Sequence, residues 1–385
     1  MRSTFMLAVV SSAFILGGCS GGDSTDAAEM GSENSLGGNS SSATQDGGGT
    51  GAFDEVSPAA DGAVVSAGGC ASSPANMEIA GNGCDDDGDG QIDEAPSSCD
   101  SESSVGDGES FAKALGVCQK ATGDAWGLVA AEFVNGAKPK GSGKFGNAIK
   151  AREGSAFGMI ETNGSFSGQI PICPVGTAAC TKFANGQNVS NAHLTLKVPA
   201  NAKGLAIDYD FYTAEWPLFV GGKFNDGFVI NVSGKKGSGN IAFDANGGVV
   251  DVNNGFFDRC TPGVKLGCAV LKKPAAVPIS KCAGGTAELQ GTPFATTDSG
   301  YDMQSLAFQY DTQSCWGKTP IKSSAGATGW LSSQTPVEPG ETLEVNILIW
   351  NAGDAYYQSL ALVDNLRWIP GDTTATTTTR APVIN

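Results

Sequence analysis

Histidine is all but missing from this sequence: His193 is the only one in 385 residues. No Cys-x-x-Cys pair occurs either, so zinc held by imidazole and thiolate is the disfavoured reading of the cysteines. A Ser-His-Asp triad could run only through His193, and after residue 108 no Gly-x-Ser-x-Gly elbow accompanies it. His193 stands on the polar side of a strand whose other side is Ala192, Leu194 and Leu196. It reads as a solvated surface side chain.

Basic residues are missing from one long stretch. Cys19 to Ser110 contains 19 Asp and Glu and not one Lys or Arg. From Phe111 onward there are 21 acids and 22 bases, so the formal net charge of −17 belongs to the first part of the chain. That imbalance argues against nucleic acid or an anionic surface as partner. Long apolar runs are absent as well. Phe5 to Leu16 falls short of the about 20 residues that a membrane-spanning helix needs. With Arg2 before it and Gly17-Gly18 after it, the run fits an export signal over residues 1–18. Leu16-Gly17-Gly18-Cys19 resembles the lipobox of bacterial lipoproteins. The resemblance implies that Cys19 is lipidated and becomes the mature N-terminus. The protein is then held to a membrane by its lipid, and Ser20 suits the outer membrane, at the cell surface or facing the periplasm.

Residues 19–75 are rich in Ser, Gly, Ala and Asp and hold almost no aromatic residues. Such a composition buries too little apolar surface to offset chain entropy, so a disordered tether is expected. Its r.m.s. reach would be about 40 Å.

The acidic segment 76–100 carries the most specific short motif, EIAGNGCDDDGDGQIDE over Glu78–Glu94. Asp85, Asp87 and Asp89 alternate, Gly90 permits a sharp turn, and Ile92 and Asp93 follow. These match the first nine positions of an EF-hand calcium loop, in which alternating carboxylates converge on one hard cation. Position twelve departs, since Pro96 stands where a bidentate Glu belongs and Glu94 comes two residues early. The stretch more closely resembles the MopE-type metal-binding motif of bacterial surface proteins. Calcium bound by Asp85, Asp87, Asp89, Asp93 and Glu94 is the expectation.

There are 11 cysteines; setting Cys19 aside leaves an even ten, as in a disulfide-bonded exported protein. The spacings Cys173-x6-Cys180 and Cys260-x7-Cys268 suit closed surface loops. Three of the ten precede residue 100, so full pairing requires a bridge from the acidic segment into the rest. The connectivity itself stays open.

Ser110–Cys118 has the spacing of a short helix, and from there to residue 370 strands and Gly/Asn turns prevail. Expected strands cover Trp126–Val134, Ala156–Thr162, His193–Val198, Ile241–Asp244, Asp302–Tyr310, Leu343–Trp350 and Leu360–Trp368. The clearest pair is Gly204–Phe211 and Asp226–Val232. In the first, Leu205, Ile207, Tyr209 and Phe211 alternate with Ala206, Asp208 and Asp210, the pattern of a half-buried strand. The expected fold for 108–370 is all-β: a disulfide-braced β-sandwich, of jelly-roll type. Thr373–Thr379 and the rest of 371–385 read as a disordered tail.

Two blocks in this region, Gly204–Gly234 with an aromatic strand followed by Ala-Glu-Trp-Pro-x-Phe-Val and Phe-Asn-Asp-x-Phe, and Asn346–Leu366, resemble the choice-of-anchor L domain of secreted bacterial proteins. Family members usually show Ser-Glu-Glu-Tyr where this chain has Thr213, Ala214, Glu215 and Trp216, so one acidic position is missing. The resemblance implies a β-rich extracellular module. Asp354 and Asp364 match family positions that stay acidic beside the Phe-Asn-Asp loop. A second metal or ligand site formed by Glu215, Asn225, Asp226, Asp354 and Asp364 is therefore expected, with calcium or a hydrogen-bond network tying the Glu215 loop to the Asp354 turn.

The leading functional expectation is a non-catalytic binding module for surface polysaccharide, matrix or protein. A glycan hydrolase pairing Glu215 with Asp210 or Asp226 is the rival, needing two carboxyls about 5–10 Å apart in a cleft. A purely structural envelope protein is the third reading.

Overall fold

The computed structural model describes residues 70–96, 98–100, 106–134, 140–216, 219–254, 256, 265–266, 275–276, 289–294, 325–355 and 357–381. The export signal, Cys19, most of the expected tether and the expected strand Asp302–Tyr310 lie outside them, as do Cys260, Cys268, Cys282 and Cys315.

A short helix, α1 (Gly108–Ala114), opens the large domain, its first turn capped by Asp107, which accepts from the N–H of Ser110 at 2.7 Å. Strands follow. β1 (Gly127–Val134), β2 (Lys140–Ser142), β3 (Lys144–Phe145), β4 (Ile149–Lys150), β5 (Phe157–Glu161), β6 (Phe166–Pro171) and β7 (Phe183–Lys197) precede β8 (Gly204–Thr213). Then come β9 (Gly227–Gly234), β10 (Gly237–Asn240), β11 (Val250–Asp251), β12 (Lys265–Leu266) and β13 (Ala275–Ala276). The chain ends in β14 (Gly326–Ala327), β15 (Leu331–Pro336), β16 (Thr342–Asn351), β17 (Ser359–Ile369) and β18 (Thr376–Thr379).

Two antiparallel sheets carry the domain. The first runs β1-β7-β16-β9-β10, with β6 added to β7 and β11 to β9. The second runs β18-β15-β8-β17-β5-β2, with β14 added to β8. Alternation then decides which side chains meet. Leu194, Leu196, Phe228, Ile230, Val345 and Ile347 of the first sheet share one core with Leu205, Ile207, Tyr209, Phe211 and Val363 of the second. Phe228 joins the sheets directly, its ring centroid 5.0 Å from Tyr209 and 6.3 Å from Phe211. The chain is thus an all-β, disulfide-containing sandwich. Among the described residues no helix is long and apolar enough to cross a membrane.

β8 departs from the half-buried strand its alternation suggests, since all ten of its residues are buried. Its second face, with Asp208 and Asp210, is covered by other side chains rather than by water. Arg367 Nη1 donates to Asp208 at 2.9 Å and Asn365 Nδ2 at 2.9 Å, and Arg152 Nε lies at 3.4 Å. Burial opposes the charge on Asp208, but the Ser332 hydroxyl, Arg367 and Asn365 hold it below the usual carboxylate range. Asp210 accepts from the Tyr212 hydroxyl at 2.8 Å. The alternation was real; only the polar side had found partners.

Three further expectations are corrected. Ile241–Asp244 is no regular strand: the β9 hairpin partner is β10, just before it, and Phe243 makes a single bridge to Val249. The threonine tail is ordered in part, because Thr376–Thr379 pairs along β15 with Thr377 opposite Ser333. Branching at Cβ suits threonine to a strand wherever an edge is free. His193 is held between two glutamates, at 3.2 Å from Glu132, opposite it on β1, and 2.5 Å from Glu344, which stands on β16 opposite Thr195, two residues along the strand.

Candidate functional site

The acidic segment is built from its cysteines inward. Cys70 is bonded to Cys84, and Cys99 to Cys118, so one bridge does join the segment to the large domain. The ordered segment takes in part of the expected tether, for the N–H of Ser73 donates to the carbonyl of Asp86 at 2.9 Å. Asp85 then accepts from the N–H groups of Gly88, Asp89 and Gly90 at 2.8, 3.1 and 3.1 Å. Gly88 and Gly90 lie at φ 81° and 93°, where a side chain would strain the backbone. That tight turn gathers the acids. Oxygens of Asp85, Asp87 and Asp89 lie within 4.8 Å of one another, and so do those of Glu78, Asp87 and Glu94.

Asp87 belongs to both triads. Burial holds it above the usual carboxylate range, with the charges of Asp89, Glu78 and Asp85 adding to the effect against the N–H of Asp89. One carboxyl oxygen of Glu94 is buried without a hydrogen-bond donor. Carboxylate oxygens gathered this closely could hold a metal ion. Glu78 is the member that the loop pattern missed, although it opens the same acidic stretch, seven residues before Asp85. Asp93 belongs to neither triad. Its carboxylate accepts from the N–H groups of Asn82 and Gly83 at 2.9 and 3.1 Å and closes the loop on itself. Glu78, Asp87, Asp89 and Glu94 line a cavity of about 650 Å³ between segment and sandwich, with Trp126, Arg367 and Trp368 on the sandwich side.

The second expected cluster is partly assembled. Glu215 follows β8, Asp226 precedes β9, and both are buried, with the N–H of Asp226 donating to Glu215 Oε2 at 3.2 Å. Burial first, then the charge of Asp226, pushes Glu215 far above the usual range; burial pushes Asp226 up as well. Both carboxyls are thus held toward their protonated forms. Asp226 is occupied by protein donors: the N–H of Ala352 at 2.8 Å and the Ser359 hydroxyl at 2.6 Å. The Asn351 amide, turned so that its nitrogen faces these acceptors, adds a contact at 3.0 Å. The loop and the Asp354 turn are also joined through rings, Phe219 lying 5.5 Å from Tyr357 and 5.2 Å from Phe224. Among the described residues, Glu215, Asp226 and Asp354 do not converge to the spacing of the acidic segment.

Asn225 and Asp364 lie apart from this pair. Asn225 turns to Asp251, donating at 2.7 Å, and accepts from Asn253. Asp364 pairs in register with Asp208 and accepts from the N–H groups of Arg152 and Asn365 at 2.5 and 2.6 Å. It stands five residues along β17 from Ser359, about 17 Å at strand rise. Strand direction carries it away, which turn proximity in the sequence had hidden.

No protein-family model, no curated protein and no solved structure matches this chain.

Proposed function

We propose that this protein is a bacterial envelope lipoprotein whose exported part is a calcium-binding, non-catalytic binding module. The observation that supports this most is the pair of carboxylate triads meeting at Asp87. Glu78 and Glu94 supply the glutamate carboxylates that Pro96 denies to position twelve of the loop. The cation set is Glu78, Asp85, Asp87, Asp89 and Glu94. The lipobox at Cys19, the charge-free-of-bases tether and the disulfides all suit an exported, membrane-held chain. The resemblances to the MopE-type motif and the choice-of-anchor L domain point the same way.

Binding is favoured over hydrolysis by the state of the candidate acids. Asp210, Glu215 and Asp226 are buried and bonded into the fold, and none of them lines either of the cavities described here. A pair of hydrolytic carboxyls must flank a substrate bond.

Calorimetry with calcium on the soluble mature chain tests the cation site. Measurable heat is expected, abolished in Asp87→Asn and weakened severalfold in Glu78→Gln. Absence of heat at millimolar calcium, with the disulfides formed, would leave the segment a solvated turn.

A further inference from the structure

A groove of about 720 Å³ lies on the face of the first sheet turned away from the core. Its size falls within the about 300–1,000 Å³ of ordinary small-ligand sites. Along β16, Val345, Ile347 and Ile349 point into the sandwich, which leaves Trp350 on the opposite face. Trp350 lies against β9 at Gly227, where any Cβ would meet its ring at 2.3 Å. One wall is the β6–β7 hairpin, closed by the Cys173–Cys180 bond and paired glycine to glycine at Gly168 and Gly186. The other wall is β11 with the loop before β9. Both sequence blocks singled out earlier meet here, one bringing Lys223 and Asn225, the other Trp350 and Ala352.

The lining brings side-chain amides and an exposed aromatic ring together. Gln169, Asn185 and Gln187 line the groove, and their side-chain amides have no partner among the described residues. Each amide offers both donors and an acceptor. Phe183, on the hairpin wall, leaves 46% of its surface exposed. Across from it, Asp251 is fixed by Asn225 at 2.7 Å and by the N–H of Asn253 at 2.9 Å. Among the described residues Lys223 is the one lining cation and Asp251 the one lining acid, so their formal charges cancel.

We propose that this groove binds an uncharged, hydroxyl-rich oligosaccharide chain. Vicinal hydroxyls are donors and acceptors at once and match amides that are the same. The apolar face of a sugar ring suits an exposed aromatic ring such as Phe183. The balanced lining gives a polyanion or a polycation no net attraction. The proposal rests on the reading of the domain as a binding module but not on the cation segment, which lines a different cavity.

The test uses the soluble mature protein and a panel of neutral hexasaccharides: β-1,4-glucan, α-1,4-glucan and β-1,4-mannan. An oligogalacturonate of equal length supplies the anionic control, and each titration is run with calcium and with chelator. We expect at least one neutral hexasaccharide to bind in both conditions. Phe183→Ala and Asn185→Ala should each weaken it tenfold or more with an unchanged melting temperature. Neutral-glycan binding untouched by both variants would place the site elsewhere and overturn the proposal. Binding of the galacturonate alone would overturn the uncharged class. No binding of any glycan would overturn the inference, while calcium heat in the same sample would leave the cation reading standing.

Discussion

Ser359 donates its hydroxyl to Asp226 at 2.6 Å and so fastens one sheet to the other. Asp226 immediately precedes β9 of the first sheet, and Ser359 is the first residue of β17 in the second. The same carboxylate takes the N–H of Ala352 at 2.8 Å, drawing in the turn after β16. One buried acid thus gathers three separate parts of the chain.

Removal of that acceptor should be costly. Asp226→Ala leaves buried donors unsatisfied, at about 1–3 kcal/mol each. Urea unfolding should show a loss of more than about 3 kcal/mol, with Asp226→Asn recovering part of it. A change below about 0.5 kcal/mol would mean that the donors find other acceptors.

The Glu215–Asp226 pair also sets a pH dependence. Both folded-state pKa values are raised, by burial first, so the folded form keeps protons that the unfolded chain releases above the ordinary carboxylate range near pH 4. This contribution is fully present below that range and is lost as pH rises through the raised values. In chelator, the melting temperature should therefore fall between about pH 5 and pH 9. Glu215→Gln, neutral at every pH, should flatten the decline. A melting temperature that climbs through this interval would contradict the pairing.

Gly227→Ala probes the seat of Trp350. The added Cβ would lie 2.3 Å from ring carbon Cζ2, so the indole must shift. Overpacking of this kind costs about 1–3 kcal/mol. The near-ultraviolet circular dichroism should change with it; an identical spectrum and stability would show that the ring has room.

Cys19→Ser tests the anchor. The variant should move from the membrane fraction to the soluble one, and continued membrane association would place the anchor elsewhere.

The sequence made the hydrophobic pairing plain and the polar pairing obscure. β8, β9 and β16 announce themselves because one face of each is apolar at every second residue, and β17 through the apolar run Leu360–Val363. β6 (FSGQIP) and β15 (LSSQTP) do not, since glycine, proline and small polar residues dilute the alternation. The alternation in β8 identified the strand yet not the burial of Asp208, whose partner Arg367 stands 159 positions away. Likewise the Asp85–Asp87–Asp89 spacing revealed a gathering of carboxylates, but Glu78 enters through the fold of the segment. Local spacing fixes which way a side chain points, and only long-range register fixes what it meets.

The position of β8 has a consequence in time. It lies at the centre of the second sheet, with Tyr209 opposite Leu331 on β15 and Thr213 opposite Ser359 on β17. Synthesis from the N-terminus completes β8 long before either neighbour exists. Among the described residues, its strand partners β14, β15 and β17 all begin more than a hundred residues further on. Loop closure of that length must precede any reward from pairing, which places such topologies among slow folders. Folding of this domain is therefore a late event, triggered by the arrival of its last strands, and until then the chain depends on whatever keeps an unpaired strand from its neighbours.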